Sequence, residues 1–522
     1  MRHGSRTRRS LQRPRAGKIR RHHDQLILWP KEYRPVFKQR QVRVKPQERG
    51  DVTSYGGLCL PHQLVMRLGL DHAINGRVAL LKMKLPYFES DHILTHVYNL
   101  YVGGHCIEDI CHIQHSDAIK RLVGACRIPD PTTAGDFLRR FGPYHLNRFQ
   151  SAIDEAREKV WRQLPRPRKR EATVDMDSTV KQVYGECKQG ADFSYNGKWS
   201  YHPLLLTLAE TNEPLRTINR PGNIPSAEGA GEALAEVLPM VSRHFKKVRV
   251  RGDSKFYQRW TIAECERHGA QFAFAMDGYK VLHEKAENLS NTAWKPFSAH
   301  PDARAATGRR LNARHKARRR KRTRYRRRIA RRREYRTLTT TREWVAEFPY
   351  TMPRHRKDED CGLSGRTYRV IVKCQRVEVS EGQDALFQEY RYRFIITNIC
   401  KSEMNAGEVI RFANGRCDQE NTIEQLKNGI SALRMPTGEL LANGAFLMCG
   451  QLAWCLRSWL SSLALPKETL RWEWSWFRHA FVYVAAKVTQ SAREAHVYLT
   501  RSHRFIEHML IASQRLEAFV FR

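Results

Sequence analysis

Acidic residues are scarce in this chain. Its 522 residues include 53 Asp and Glu against 92 Lys and Arg, a formal net charge of +39. Such a surplus opposes compaction and favours a polyanionic partner. A small basic structural protein, a ribosomal component for instance, would share the charge, but it would lack the length for a separate large core. Ordered cysteine spacing is also missing: the twelve cysteines form no CxxC pair, which argues against a disulfide framework and for a reducing compartment. His105, Cys106, Cys111 and His112 are zinc-capable residue types at a spacing that fits no common zinc site. Met1–His23 is rich in arginine and has no apolar h-region, so it does not read as a secretory signal. The most apolar stretch, Gly444–Leu465, is interrupted by Gln451 and Arg457; a buried helix is expected there rather than a membrane span. No internal repeat is visible.

With 41% hydrophobic residues, the chain has enough apolar material for globular packing, and its length implies about three domains. Residues 1–50 read as a disordered basic arm. Residues 51–165 turn helical. Ser90 or Asp91 is placed to cap a helix carrying Ile93, Val97, Leu100 and Tyr101, ending at Gly103-Gly104. A second helix starts near Ser116, and helical spacing resumes at Phe137, Leu138 and Phe141 after the break Ile128–Thr133. These short helices, bearing Arg139 and Arg140, suit a helix-turn-helix-like reader of DNA ends, and equally a plain bundle with solvated arginines. From 170 to 280 strands and helices alternate: Thr173–Thr179, Tyr201–Leu208, a helix through Leu234 and Val241 bent at Pro239, Lys247–Arg251 and Gln271–Met276. This order implies an α/β sheet.

Residues 281–389 read as a β-rich insertion, within which positions 309–336 hold 17 Lys or Arg in 28. That run is either a phosphate-tracking surface or a basic tail with another role. The sheet resumes at Tyr392–Asn398 within 390–465, with helices Arg416–Leu433 and Ala442–Leu463, and 466–522 is a C-terminal helical region.

Against this basic background, acidic residues at strand ends stand out. Asp175 and Asp177 share one face of a strand, Asp253 sits where a strand meets a turn, and Glu420 lies on a helix with Arg416, Glu424 and Lys427 within about 80° of one another. Each has a bland explanation as a turn cap or a solvated i,i+4 network. Together they match a chemical need: two-metal phosphodiester cleavage requires carboxylates from several elements converging on hard cations.

The segments VDMDSTV around Asp177, VRGDSKF around Asp253 and NGRCDQENTIEQLKNG around Glu420 resemble the three catalytic motifs of Asp-Asp-Glu insertion-sequence transposases. The third shows the Arg-x3-Glu-x6-Lys spacing as Arg416, Glu420 and Lys427. VTSYGGLCL near residue 52 and IPDPTTAGDFLRRF resemble the branch usually numbered thirteen-eighty, so the likeness spans roughly 50–465. It implies an RNase H-like core with an insertion between the second Asp and the Glu. Asp177, Asp253 and Glu420 would hold two Mg2+ ions, with Mn2+ as a substitute, and Asp175 is a second metal candidate. Arg416 and Lys427 would contact DNA phosphate. The family's Tyr, three residues before the Arg, is replaced by Ala413, with Phe412 beside it.

The implied activity is binding of inverted-repeat ends, cleavage and strand transfer in cut-and-paste transposition. The implied partners are double-stranded DNA, as ends and as target, with a dimer on paired ends, no membrane, and a bacterial nucleoid-associated cytoplasmic setting. Trp344 in REWVAEF is expected either to stack an extruded base, as a tryptophan of the family's insertion does, or to pack as core. A nuclease on the same fold and a non-catalytic or decayed DNA binder are the rival readings.

Overall fold

The computed structural model describes residues 51–298, 337–354, 361–380, 389–415, 417–491 and 494–521. The N-terminal arm, the arginine run 309–336 and Arg416 lie outside them. At the centre is one mixed sheet of nine strands: β1 Glu171–Ser178, β2 Leu204–Leu208, β3 Glu213–Ile218, β4 Lys247–Gly252, β5 Gln271–Met276, β6 Lys295–Pro296, β7 Thr337–Thr351, β8 Thr367–Ser380 and β9 Glu389–Thr397. Their order is β6-β7-β8-β9-β5-β4-β1-β2-β3. β1 pairs parallel with β4, and β4 with β5; the other pairings are antiparallel. The strands of the expected insertion thus prolong the central sheet as a long hairpin instead of building a small sheet of their own.

Period-two alternation sends side chains to opposite faces. Val174, Met176, Leu206, Val250, Phe272 and Phe274 build one core with α5 (Ala230–His244). Ala273, Val345, Ile371 and Ile395 face the other way, onto Val409 and Ile410 of α7 (Ala406–Asn414). Burial on both faces explains why β1 lacks a solvated side and why Asp175 ends up inside.

α6 (Arg259–Arg267) belongs to the sheet core through Ile262 and Cys265. Most other helices make a separate layer, among them α1 Cys59–Leu68, α2 Glu89–Val102, α3 Pro131–Arg139, α4 Pro143–Gln163, α8 Cys417–Glu424, α9 Leu440–Leu463, α10 Trp474–Phe481 and α11 Ile506–Ala518. Helices from 51–165 and from 466–522 share a single hydrophobic core with α9. α9 is buried almost throughout its length, including Gln451 and Arg457. It covers the edge strand β3, where Gln451 Nε2 donates to Pro214 O and Leu215 O at 3.4 and 3.3 Å, which satisfies an edge that would otherwise invite pairing. No helix among the described residues is long and apolar enough to cross a membrane.

Two local expectations shift. α2 is capped at Phe88, because Asp91 turns back to accept the Phe88 N–H at 2.8 Å while Ser90 is engaged by Asn75. The strand expected over Tyr201–Leu208 is divided. Trp199–Tyr201 joins a three-stranded sheet with Lys181–Gln182 and Asp192–Phe193, and only Leu204–Leu208 enters the central sheet.

Candidate active site

The parallel pairing of β1 with β4 decides where the acidic residues fall. The last rung of that ladder joins Asp175 to Arg251. Asp177 and Asp253 each lie two residues further along their strands, on the same side as that rung, so they occupy neighbouring strand ends about 4.8 Å apart by the usual strand spacing. This is the carboxyl edge, where open α/β sheets build their sites. Asp177 is partly exposed at the end of β1, opposite Leu205 of β2. Asp253 caps the turn Ser254–Phe256, its carboxylate accepting the Lys255 N–H at 2.9 Å.

Asp175 is in a different situation. It is 1% exposed, and Arg251 grips it with both arms: Nε to Oδ1 at 2.6 Å and Nη2 to Oδ2 at 2.7 Å. The third guanidinium nitrogen of Arg251, Nη1, donates to Phe412 O at 2.7 Å, and the Phe412 ring lies 5.0 Å from the guanidinium. Gly415 leaves room for this reach, since a Cβ there would collide with Arg251 Nη1. A bidentate guanidinium on a buried carboxylate is a strong, directional contact that fixes both partners.

Glu420 is exposed on α8. The residue before it sets the helix in place: buried Gln419 donates from Nε2 to Asp175 O at 2.9 Å and to Leu205 O at 3.3 Å. Leu205 is the cross-strand partner of Asp177, so α8 is fastened to the sheet at the level of the two aspartates. Thr422 adds a hydrogen bond to Asn212 in the β2–β3 turn. Lys427 is half-buried in the π-helical turn Gln425–Gly429 that continues α8.

Other expected residues lie apart from this arrangement. Arg139 and Arg140 are exposed on the helical layer, and Arg139 pairs with Asp136 at 2.6 Å. No contact among the described residues joins them to the carboxylates. Trp344 on β7 is in register with Cys374 on β8, itself in register with Tyr392 on β9. Trp344 is half-buried and lines a cleft of about 390 Å³ together with Trp294, Tyr390 and Tyr392. Among the described residues no group of three His, Cys, Asp or Glu side chains is close enough to hold a metal ion, neither Asp177, Asp253 and Glu420 as they stand nor His105, Cys106, Cys111 and His112.

The family model "Transposase DDE domain group 1" matches residues 34–520. The chain belongs to that transposase family. It is a DNA transposase, a polynucleotidyl transferase, and DNA is its substrate. No curated protein matches it. Among solved structures, a piggyBac transposase synaptic complex with hairpin DNA is similar over 83% of each chain, at 9% identity and a TM-score of 0.34.

Several residues around these carboxylates were not singled out by the motifs. Arg251 occupies the alternate position before Asp253 in VRVRGD, so its facing direction was readable, but its pairing with Asp175 depends on strand order. Gln419 sits inside the third motif, where its neighbour Glu420 draws attention. Phe412 takes the place beside the expected Tyr and packs its ring on Arg251.

Proposed function

We propose that this transposase binds the inverted-repeat ends of an insertion sequence and catalyses metal-dependent DNA cleavage and strand transfer, with Asp177, Asp253 and Glu420 as its catalytic carboxylates. The observation that carries the reading is the register of β1 and β4, which sets two aspartates on adjacent parallel strand ends beside the helix of Glu420. The order β3-β2-β1-β4-β5, an antiparallel meander followed by two parallel strands, supports an RNase H-like core, with β6–β8 as the insertion's contribution to the sheet and β9 as the core's return.

Three carboxylates are hard oxygen donors, the set that suits Mg2+ or Mn2+. Bound there, a pair of divalent cations would activate the attacking oxygen and stabilise the leaving one. The chain's own part is positional. Gln419 fixes the helix that presents Glu420, and the Asp175–Arg251 rung, with its carboxylate already engaged, fixes the strand ends that present Asp177 and Asp253. On this reading Asp177 is the ligand and Asp175 its support. Arg416 and Lys427 take DNA phosphate on either side of Glu420, the run 309–336 tracks the backbone, and Arg139 and Arg140 contact the DNA ends. The cleft of Trp344 offers flat surfaces for an extruded base, for which stacking is worth about 1–3 kcal/mol. The working form is a dimer on paired ends, in a bacterial cytoplasm at the nucleoid.

The test is an assay on duplexes ending in the inverted repeats that flank the gene. Strand transfer that requires Mg2+ or Mn2+ is expected. Cleavage without joining would favour a nuclease, and binding without either would favour a decayed protein.

A further inference from the structure

Between β1 and β2 the chain makes an excursion, residues 179–203, that starts two residues after Asp177. It is anchored to the segment that follows α8. Lys188 Nζ donates to Met435 O and Thr437 O, both at 2.7 Å, and the Gln189 N–H donates to Gly438 O at 2.8 Å. The anchored segment is itself rigid. Ser431 and Met435 hold left-handed backbone conformations, with φ of 61° and 53°, which non-glycine residues adopt only when the surroundings impose them. Ser431 is hydrogen-bonded to His105 Nδ1 at 2.7 Å. Between these two residues, Leu433 is buried and Arg434 is exposed, so the turn presents one guanidinium to solvent.

Three cations lie on segments that these anchors bring side by side: Lys181 on the excursion, Lys427 on the π-helical turn and Arg434 on the strained turn. None of them makes an ion pair among the described residues. Burial, and then the charges of Lys427 and Arg434, push the Lys181 ammonium below its ordinary value. Like charges held together on a rigid frame disfavour one another, and an anion placed between them relieves the repulsion. The same excursion carries Tyr184 and Tyr195 at 80% and 81% exposure, with Phe193 at 64%. Exposed rings on a segment that also carries a lysine suit a ligand that has both phosphates and flat bases.

We infer that Lys181, Lys427 and Arg434 form a single grip for one backbone phosphate of the DNA strand lying against Asp177, with the excursion 179–203 as one wall of the active site. Lys427 in this role rests on the proposed function; Lys181 and Arg434 are added by the geometry of the excursion and the turn.

The experiment is equilibrium binding of a labelled duplex of arbitrary sequence to the full-length protein without divalent metal, over a range of salt. Lys181→Gln and Arg434→Gln should each weaken binding about 10-fold and lower the salt slope by about 1. The double variant should lose less than the two losses combined, since both act on one phosphate. Lys181→Arg should retain affinity. Melting temperature without DNA should stay the same or rise in Lys181→Gln, because a repulsion is removed, which a structural lysine would not do. Equal losses from Lys181→Gln and from Lys198→Gln, an exposed lysine on the same excursion, would reduce the grip to diffuse surface charge and overturn it. So would strictly additive losses. The assay involves no chemistry, so absent strand transfer with intact wild-type binding would count only against the catalytic reading.

Discussion

Two sets of carboxylates in this very basic protein have opposite surroundings. At the seam between the sheet edge and the helical layer, Glu213 is fully buried. It accepts hydrogen bonds from Trp161 Nε1 and Trp459 Nε1 at 2.7 Å each and from Thr211 Oγ1 at 2.8 Å, and it pairs with Arg157 at 3.3 Å. Arg157, equally buried, also holds Asp154 and donates to Pro214 O. At the carboxyl edge of the same sheet, Asp177 and Asp253 are partly exposed and Glu420 is exposed. Buried charge persists only where partners satisfy it, so the seam acids serve the fold. Acids held at strand ends in reach of solvent can take a new ligand. Asp175 belongs with the seam in this sense, although it is only two residues from Asp177.

The sharpest way to break the comparison is to neutralise the open set. Asp177→Asn, Asp253→Asn and Glu420→Gln should each lower strand transfer by at least about 10^3-fold while melting temperature and DNA-end binding stay near wild type. Full activity in any of them would remove that residue from the chemistry. Arg157→Ala should do the reverse: leaving Glu213 buried and unpaired should cost about 3–5 kcal/mol in denaturant unfolding, with surviving folded protein still active. Asp175→Asn separates the neighbours. It keeps a hydrogen-bonding group for Arg251 but loses the charge, at about 1.5–3 kcal/mol of stability, and the folded fraction should still bind metal.

A pH titration sharpens the contrast between sheet and helical layer. His62, His92 and His96 all lie in the helical layer, where burial first of all holds each of them down to about 4. Their unfolded forms take up protons near 6.5 and their folded forms only near 4, so the unfolded state binds more protons in between. Stability should therefore fall as pH drops from about 6.5 to 4, and replacing His96 with Gln should shallow that slope. A slope unchanged by the replacement would show that the histidines are not its source. The smallest effect is expected at Trp344. Trp344→Ala should spare the first nick and slow second-strand processing by roughly 5- to 150-fold, the range that about 1–3 kcal/mol of stacking allows. A large loss of melting temperature with every step slowed alike would assign it to packing instead.

Much of this was legible in the sequence because it depends on local signals. Gln271–Met276 is the observed β5, residue for residue, since alternation and flanking turns define it. Ser116 and Gly103 cap helices where capping chemistry puts them. Asp253 was readable as a strand-end residue because the apolar alternation stops just before it. What could not be read depends on which strands become neighbours. The Asp175–Arg251 rung, the joining of β7 and β8 to the central sheet, and the fastening of excursion 179–203 to the turn at 431–437 all link residues far apart in the chain. Periodicity reports a segment's own faces and nothing about its partners. For that reason Asp175 and Asp177 looked alike in sequence and differ in surroundings.

The most direct test of this division is the uptake of Mn2+ by the DNA-bound protein, followed by loss of the free-ion paramagnetic resonance signal. The account predicts about two ions per active site, with fewer in Asp177→Asn and in Asp253→Asn, and the wild-type number in folded Asp175→Asn. Undiminished uptake in Asp177→Asn, or its loss in Asp175→Asn alone, would contradict it.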